Sequence, residues 1–138
     1  MKPVILDTGP LVASLCPRDE HFVWARQAFT QVAPGSLICE AVITEACYLV
    51  AKEGVTRARV IEFAVNGRLR SVSLSSELEA IKKLLERYSD VPMDFADACL
   101  VRLAELYPEA AVCTTDKDFL VYRRLGHEQI PLIAPFSG

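Results

Sequence analysis

The sequence contains no apolar run near the roughly 18–20 residues that a membrane span requires, which argues against a transmembrane helix. Cys-x-x-Cys spacing is also absent. The five cysteines (Cys16, Cys39, Cys47, Cys99 and Cys113) are an odd number. A disulfide framework or a zinc site is therefore not expected, and the cysteines read as small buried hydrophobes in a reducing compartment. The only two histidines, His21 and His127, stand in polar or loop-like contexts with no acid or serine pattern beside them, so no chemistry is assigned to them. Positive charge is in deficit: 15 Lys and Arg against 18 Asp and Glu leave a net charge of −3. A broad basic stripe that grips nucleic acid non-specifically is thereby excluded. Repeats, low-complexity stretches and Gly-, Ser- or Pro-rich linkers are missing too. At the N-terminus, Val4-Ile5-Leu6 meets Asp7 far too early for a signal-peptide core, and the expected compartment is the cytoplasm.

What is present fits one soluble domain over residues 1–138, with 51% hydrophobic and 24% charged residues. Helical and strand patterns alternate along it. Residues 3–6 form a short β-type run. Residues 11–15 and 21–32 read as helices, the second with Asp19 as N-cap and Phe22, Ala25, Phe29 and Val32 on one face. Pro34-Gly35 precedes a strand at 37–39, a helix follows over 40–52 with Gly54 as its stop, and another, capped by Thr56, reaches 66–67. A strand at 69–74 precedes a helix with a Ser76/Glu79 capping box. A helix opened by Pro92-Met93-Asp94 runs through Leu106. Then come a buried-type strand at 110–114, a short helix over 116–125 and a closing edge strand at 131–133. Strands separated by helix-length segments predict an α/β fold: a three-layer α/β/α sandwich around a central, mainly parallel sheet.

Two acids stand where an apolar strand stops, Asp7 after Val4-Ile5-Leu6 and Asp116 after Ala111-Val112-Cys113-Thr114-Thr115. In a parallel sheet all strand carboxyl ends lie on one rim, so these two are candidates for one neighbourhood. Glu45 lies in a helix otherwise almost free of charge, Ala41 to Val50, where a lone acid needs a partner or bears a large desolvation penalty. Asp94 and Asp97, three apart in a first helical turn, share one side, and the helix N-terminus favours negative charge there. If Asp7, Glu45, Asp97 and Asp116 converge, two carboxylates about 4 Å apart repel by roughly 4 kcal/mol at an effective dielectric near 20. Four cannot all remain ionised together without a cation. Shared protons or a divalent metal are the remedies, and an oxygen-only donor set suits Mg²⁺ or Mn²⁺ rather than Zn²⁺.

Each acid also has an ordinary reading. Asp7 and Asp94 can act as helix N-caps, Asp118 as a first-turn acid, and Glu45 can pair with an arginine. Trp24 reads as core or interface, and Arg57, Arg59, Arg68 and Arg70 as a solvated face or a basic edge that meets phosphates. Asp7-Thr8-Gly9 is also the aspartic-protease triplet, but that class needs a β-rich fold with the triplet supplied twice. A phosphoaspartyl enzyme of the haloacid-dehalogenase type needs a second Asp two residues on, where Gly9 stands. A non-catalytic module whose acidic pocket holds a partner's arginines is the alternative from another class.

The four acid positions also carry a family resemblance. Val4-Ile5-Leu6-Asp7-Thr8-Gly9-Pro10-Leu11 resembles the opening motif of PIN domains, including the VapC-type toxin ribonucleases. Glu45 resembles the family's second acid, Met93-Asp94-Phe95-Ala96-Asp97-Ala98 its third motif with an extra acid, and Thr114-Thr115-Asp116-Lys117-Asp118-Phe119 its fourth. The resemblance covers essentially the whole chain in order and spacing. It implies a PIN-like domain that is a Mg²⁺- or Mn²⁺-dependent endoribonuclease acting on RNA. It also implies a homodimer and a small antitoxin that occludes the site and links it to operator DNA. Asp7, Glu45, Asp97 and Asp116 would then be catalytic. Asp7, Asp97 and Asp116 would bind metal, and Glu45 would bind metal or deprotonate the attacking water. Thr8 and Thr115 would hydrogen-bond the carboxylates or a water, with Asp94 and Asp118 in support.

Overall fold

The structure, a computed structural model, describes residues 2–137. Seven strands and six α-helices follow one another as β1 (Val4–Leu6), α1 (Thr8–Leu15), α2 (Phe22–Ala28), β2 (Ser36–Cys39), α3 (Glu40–Lys52), α4 (Ala58–Val65), β3 (Leu69–Val72), α5 (Leu78–Arg87), α6 (Phe95–Leu106), β4 (Ala111–Cys113), β5 (Arg123–Arg124), β6 (Glu128–Gln129) and β7 (Leu132–Ile133). Five of the strands form one sheet in the order β3-β2-β1-β4-β7, every neighbouring pair parallel. Parallel strands need crossover connections, and right-handed crossovers put α1 to α4 on one face and α5 with α6 on the other. The expected α/β sheet flanked by helices is therefore what the chain forms.

The short inner strands are apolar because both of their faces are covered. Ile5, Leu6, Leu37, Ile38, Val112 and Cys113 are all buried. Strand β1 sits in the centre, with β2 on one side and β4 on the other, so the chain order reverses there. Such a switch point opens a crevice beyond the carboxyl ends of the two flanking strands. Register fixes what stands in it. Val4 pairs with Ala111, Ile5 with Val112 and Leu6 with Cys113, and the Asp7 amide donates to the Cys113 carbonyl at 3.0 Å. Asp7 and Thr114 thus leave the sheet side by side.

Several local expectations change. Helix α1 starts at Thr8 rather than 11, because Asp7 caps it and Pro10 falls in the first turn, where its missing N–H has no helical acceptor anyway. Over 21–32 the α-helix ends at Ala28 and tightens into a 3₁₀ turn, Phe29–Gln31. Asp19 caps no helix; its carboxylate accepts from the His21 amide at 2.8 Å. The Ser76/Glu79 capping box does not form, since α5 begins at Leu78 after a 3₁₀ turn and its cap, Glu77, makes no side-chain cap bond. The helix expected over 116–125 is a 3₁₀ turn, Lys117–Leu120, followed by the β5/β6 hairpin. Leu125 (φ 53°) and Gly126 (φ 84°) turn that hairpin, and two successive left-handed residues cannot continue a right-handed helix.

Candidate active site

Four elements deliver acids to the crevice: β1 leads into Asp7, β4 into Asp116, α6 starts with Asp94 and Asp97, and α3 carries Glu45. Asp7 is only 7% exposed, yet both of its carboxylate oxygens are occupied. Oδ1 accepts the Thr8 amide at 2.7 Å, the N-cap bond of α1, and Oδ2 accepts the Thr114 hydroxyl at 2.7 Å. Thr114 Oγ1 in turn accepts the Asp116 amide at 2.9 Å, and Asp116 Oδ1 accepts the Asp118 amide at 2.9 Å. One buried hydroxyl therefore ties the ends of β1 and β4 together.

At the start of α6, Asp94 and Asp97 form a reciprocal capping box. The Asp97 amide donates to Asp94 Oδ1 at 2.8 Å and the Asp94 amide to Asp97 Oδ2 at 3.1 Å. The Tyr122 hydroxyl donates to the Pro92 carbonyl and lies 3.4 Å from Asp97 Oδ2. Capping and cluster membership are thus not alternatives here: Asp7 and Asp94 do cap their helices, and both face the other acids.

The electrostatics show one neighbourhood. Burial lifts the Asp7 carboxyl to about 6; hydrogen bonds from Thr114 and Thr8 oppose that, and the charges of Asp116 and Glu45 add to it. Asp97 is pushed up to about 7, first by burial, against the Asp94 amide, and then by the charges of Asp94, Asp7 and Asp116. Asp118 is also raised, by burial and then by Asp116. Among the described residues, no ion pair involves any of these acids. Glu45 is half-buried and lines a cleft of about 410 Å³ with Asp94, Phe95, Ala41 and Thr44.

The donor chemistry suits a hard divalent ion. The acids of the crevice offer only oxygen donors, and the buried Thr8 hydroxyl beside them has no hydrogen-bond partner. Spacing is a separate matter. Among the described residues, no three Asp, Glu, His or Cys side chains stand close enough to grip one ion as they are. Hydrogen bonds hold Asp7 and Asp97 from two sides.

Sequence reasoning missed Thr114, fully buried and bonded to both strand-end acids, and placed hydrogen bonding on its neighbour Thr115 instead. Thr115 Oγ1 packs over Gly9, where a Cβ would come within 2.1 Å of it, so only glycine lets α1 approach the Asp116 loop this closely. Thr8 serves Asp7 through its amide rather than its hydroxyl. Tyr122 was missed as well, for it lay in a segment read as an ordinary helix. Of the four arginines, two are engaged within the fold: Arg68 donates to the Phe29 carbonyl and Arg70 lies over the Tyr107 ring. Trp24 packs against the core. A hollow of about 480 Å³ beside Phe119, Arg123 and Ile130 is lined by no carboxylate, so volume alone does not locate the site.

Neither a family model nor a curated protein matches this sequence. Solved structures do. Mycobacterium tuberculosis VapC20, described as a sarcin-ricin loop cleaving toxin, superposes with a TM-score of 0.73 at 19% identity, over 83% of this chain and 91% of that one. A toxin–antitoxin complex from Klebsiella pneumoniae contains a chain that superposes with a TM-score of 0.65 at 19% identity, over 98% of this chain and 99% of that one. This chain shares the fold of both. At such identity the likeness is one of architecture, and it agrees with the PIN-domain resemblance carried by the four acid motifs. In this VapC-like fold Asp7 and Asp116 occupy the two strand ends beside the switch point, where α/β folds place their ligands.

Proposed function

We propose that this protein is a divalent-metal-dependent endoribonuclease that hydrolyses RNA phosphodiester bonds, the toxin of a toxin–antitoxin pair, using Mg²⁺ or Mn²⁺. The observation that carries the reading is the gathering of Asp7 and Asp116 at the strand ends with Asp97 at the start of α6, two of the carboxyls raised and, among the described residues, no Lys or Arg paired to any of them. A fold shared with a toxin described as cleaving an RNA loop supports it. On this reading Asp7, Asp97 and Asp116 hold the ion. When bound, the ion compensates their charge and makes a water acidic enough to attack at neutral pH. Glu45, half-buried in the adjoining cleft, would be the base for an attacking water. Thr114 fixes the rotamer of Asp7, while Asp94 and Asp118 keep the surroundings negative. The shared fold with a chain from a toxin–antitoxin complex supports a small antitoxin as partner, through which any contact with operator DNA is indirect. The working form is a homodimer in the cytoplasm.

The test is thermal unfolding and RNA cleavage with and without millimolar Mg²⁺ or Mn²⁺, with Asp97→Ala as control. A ligand that binds only the native state raises the midpoint. The wild type is expected to gain stability and to cleave, and Asp97→Ala to do neither. A second reading has one observation in its favour: no three of the described acids are placed to grip an ion as they stand. A pocket that receives a partner's arginines in bidentate pairs needs no such grip. The absence of any shift with either ion, together with intact RNA, would favour it.

A further inference from the structure

A second cavity, of about 220 Å³, adjoins the acid cleft and shares two walls with it, Ala41 and Phe95. Its lining includes Leu74, Leu78, Ser73 and Ser75. Phe95 is 49% exposed and Leu78 54%, so two large apolar side chains face water beside the most acidic part of the surface. Each leaves apolar area unburied that a packed partner would cover. Phe95 directly follows the Asp94 cap, and neither its capping bonds nor the acid chemistry requires an aromatic ring there.

The lining says what fits. No Lys or Arg borders the cavity, and its one charged residue is Glu40, so a phosphate is repelled from it. The rest is an aromatic ring, aliphatic side chains, the buried Cys39 and Cys99, and two exposed hydroxyls, Ser73 Oγ and Ser75 Oγ, 3.2 Å apart. An aromatic wall with a few hydroxyl donors and acceptors is how proteins hold an unpaired base, stacked on the ring and bonded along its edge. Resting on the proposed ribonuclease activity, we infer that this cavity is a nucleobase subsite: Phe95 stacks the base next to the phosphate held over the acids, and Ser73 and Ser75 meet its edge. Recognition then rests on stacking, consistent with a chain that has no basic stripe.

The experiment pairs binding with kinetics. Dye-labelled unpaired RNA is titrated by anisotropy in EDTA, where cleavage is stopped, against wild type, F95A, F95L and F95W. F95A and F95L are expected to weaken binding roughly tenfold, within the range for one base stacked on an aromatic ring, and F95W to restore it. An abasic residue in the RNA is expected to cost wild type the same factor and to cost F95A nothing further. With Mn²⁺, F95A raises KM with kcat unchanged. Equal binding by all four proteins overturns the subsite, as does a shift by F95A from dimer to monomer in sedimentation with RNA affinity intact. Failure of the nuclease reading looks different: wild type then cleaves nothing, whatever residue 95 does to binding.

Discussion

The two ends of α6 handle buried charge in opposite ways. Towards the C-terminal end Glu77, Glu105 and Glu128 each pair with an arginine. Arg102 bridges Glu77 at 2.7 Å and Glu105 at 3.0 Å, and Arg124, 7% exposed, pairs with Glu128 at 2.6 Å. Arg124 also donates to the Ala104 and Pro108 carbonyls, satisfying the orphan acceptors of the helix end. At the N-terminal end Asp94 and Asp97 face Asp7 and Asp116, and no described ion pair reaches them. The helix dipole favours both arrangements, but its roughly 0.3–1 kcal/mol is too little to keep Asp97 ionised against burial and three neighbouring charges. The chain therefore pairs acids with arginine at one end of α6, and among the described residues no ion pair relieves the acids at the other.

Replacing one acid at the unpaired end breaks the contrast most severely. Asp7→Asn keeps the shape and the cap bond from the Thr8 amide but removes a charge from the cluster. Cleavage is expected to fall by about 10²–10³-fold or more, the usual scale for losing one preorganised electrostatic group. Initial rates on RNA in Mn²⁺, with circular dichroism to check the fold, measure this. Rates within a few-fold of wild type would remove Asp7 from the chemistry.

The pH dependence of the chelated protein is the next largest effect. Burial above all raises Asp7 to about 6 and Asp97 to about 7, well above the ordinary aspartate value, so the folded state holds these protons more tightly than the unfolded chain does. Their contribution is fully present below about pH 4 and is lost as pH rises through 6 and 7. For Asp7 alone, about two units correspond to about 3 kcal/mol. Urea unfolding in EDTA is expected to show lower stability at pH 8 than at pH 5, with the difference reduced in Asp7→Asn and offset in the wild type by Mn²⁺. A flat profile in EDTA would mean that burial and the neighbouring charges do not hold protons on these carboxyls.

The paired end gives a smaller effect of opposite sense. Arg124→Met leaves the Ala104 and Pro108 carbonyls without a donor and frees Glu128, which is already partly exposed. The expected loss is about 2 kcal/mol of stability, independent of pH between 5 and 8 and of divalent ions. Urea midpoints at both pH values read it directly.

How much of this was legible depended on the kind of physics involved. Short apolar runs separated by helix-length segments can only be strands covered on both faces, so the parallel sheet followed, and with it a rim that gathers strand-end acids such as Asp7 and Asp116. The hairpin of Arg123-Arg124 against Glu128-Gln129 carries no apolar period, because its strands are two residues long and held by the charges of Arg124 and Glu128. Thr114 and Thr115 are indistinguishable in composition. Only the register of Leu6 with Cys113 decides that Thr114 stands beside Asp7. The hydrogen bonds that hold the carboxylates, from Thr114 and within the capping box, were out of reach for the same reason.

The finest division of the contrast lies within the capping box. Asp94 does two things at once: its carboxylate accepts the Asp97 amide at 2.8 Å, which stabilises α6, and its charge pushes the Asp97 carboxyl up. Asn keeps the first and removes the second; Ala removes both. Asp94→Ala is therefore expected to lose about 1 kcal/mol of stability, the ordinary cost of an N-cap, less whatever relief of repulsion returns. Asp94→Asn is expected to lie within about 0.5 kcal/mol of wild type, since Asn caps nearly as well as Asp. Both lower the midpoint at which Asp97 titrates, which carboxyl-detected NMR can follow in EDTA. If Asp94→Asn leaves that midpoint unmoved, the two carboxylates do not share charge, and the N-terminal end of α6 is only a well-capped helix.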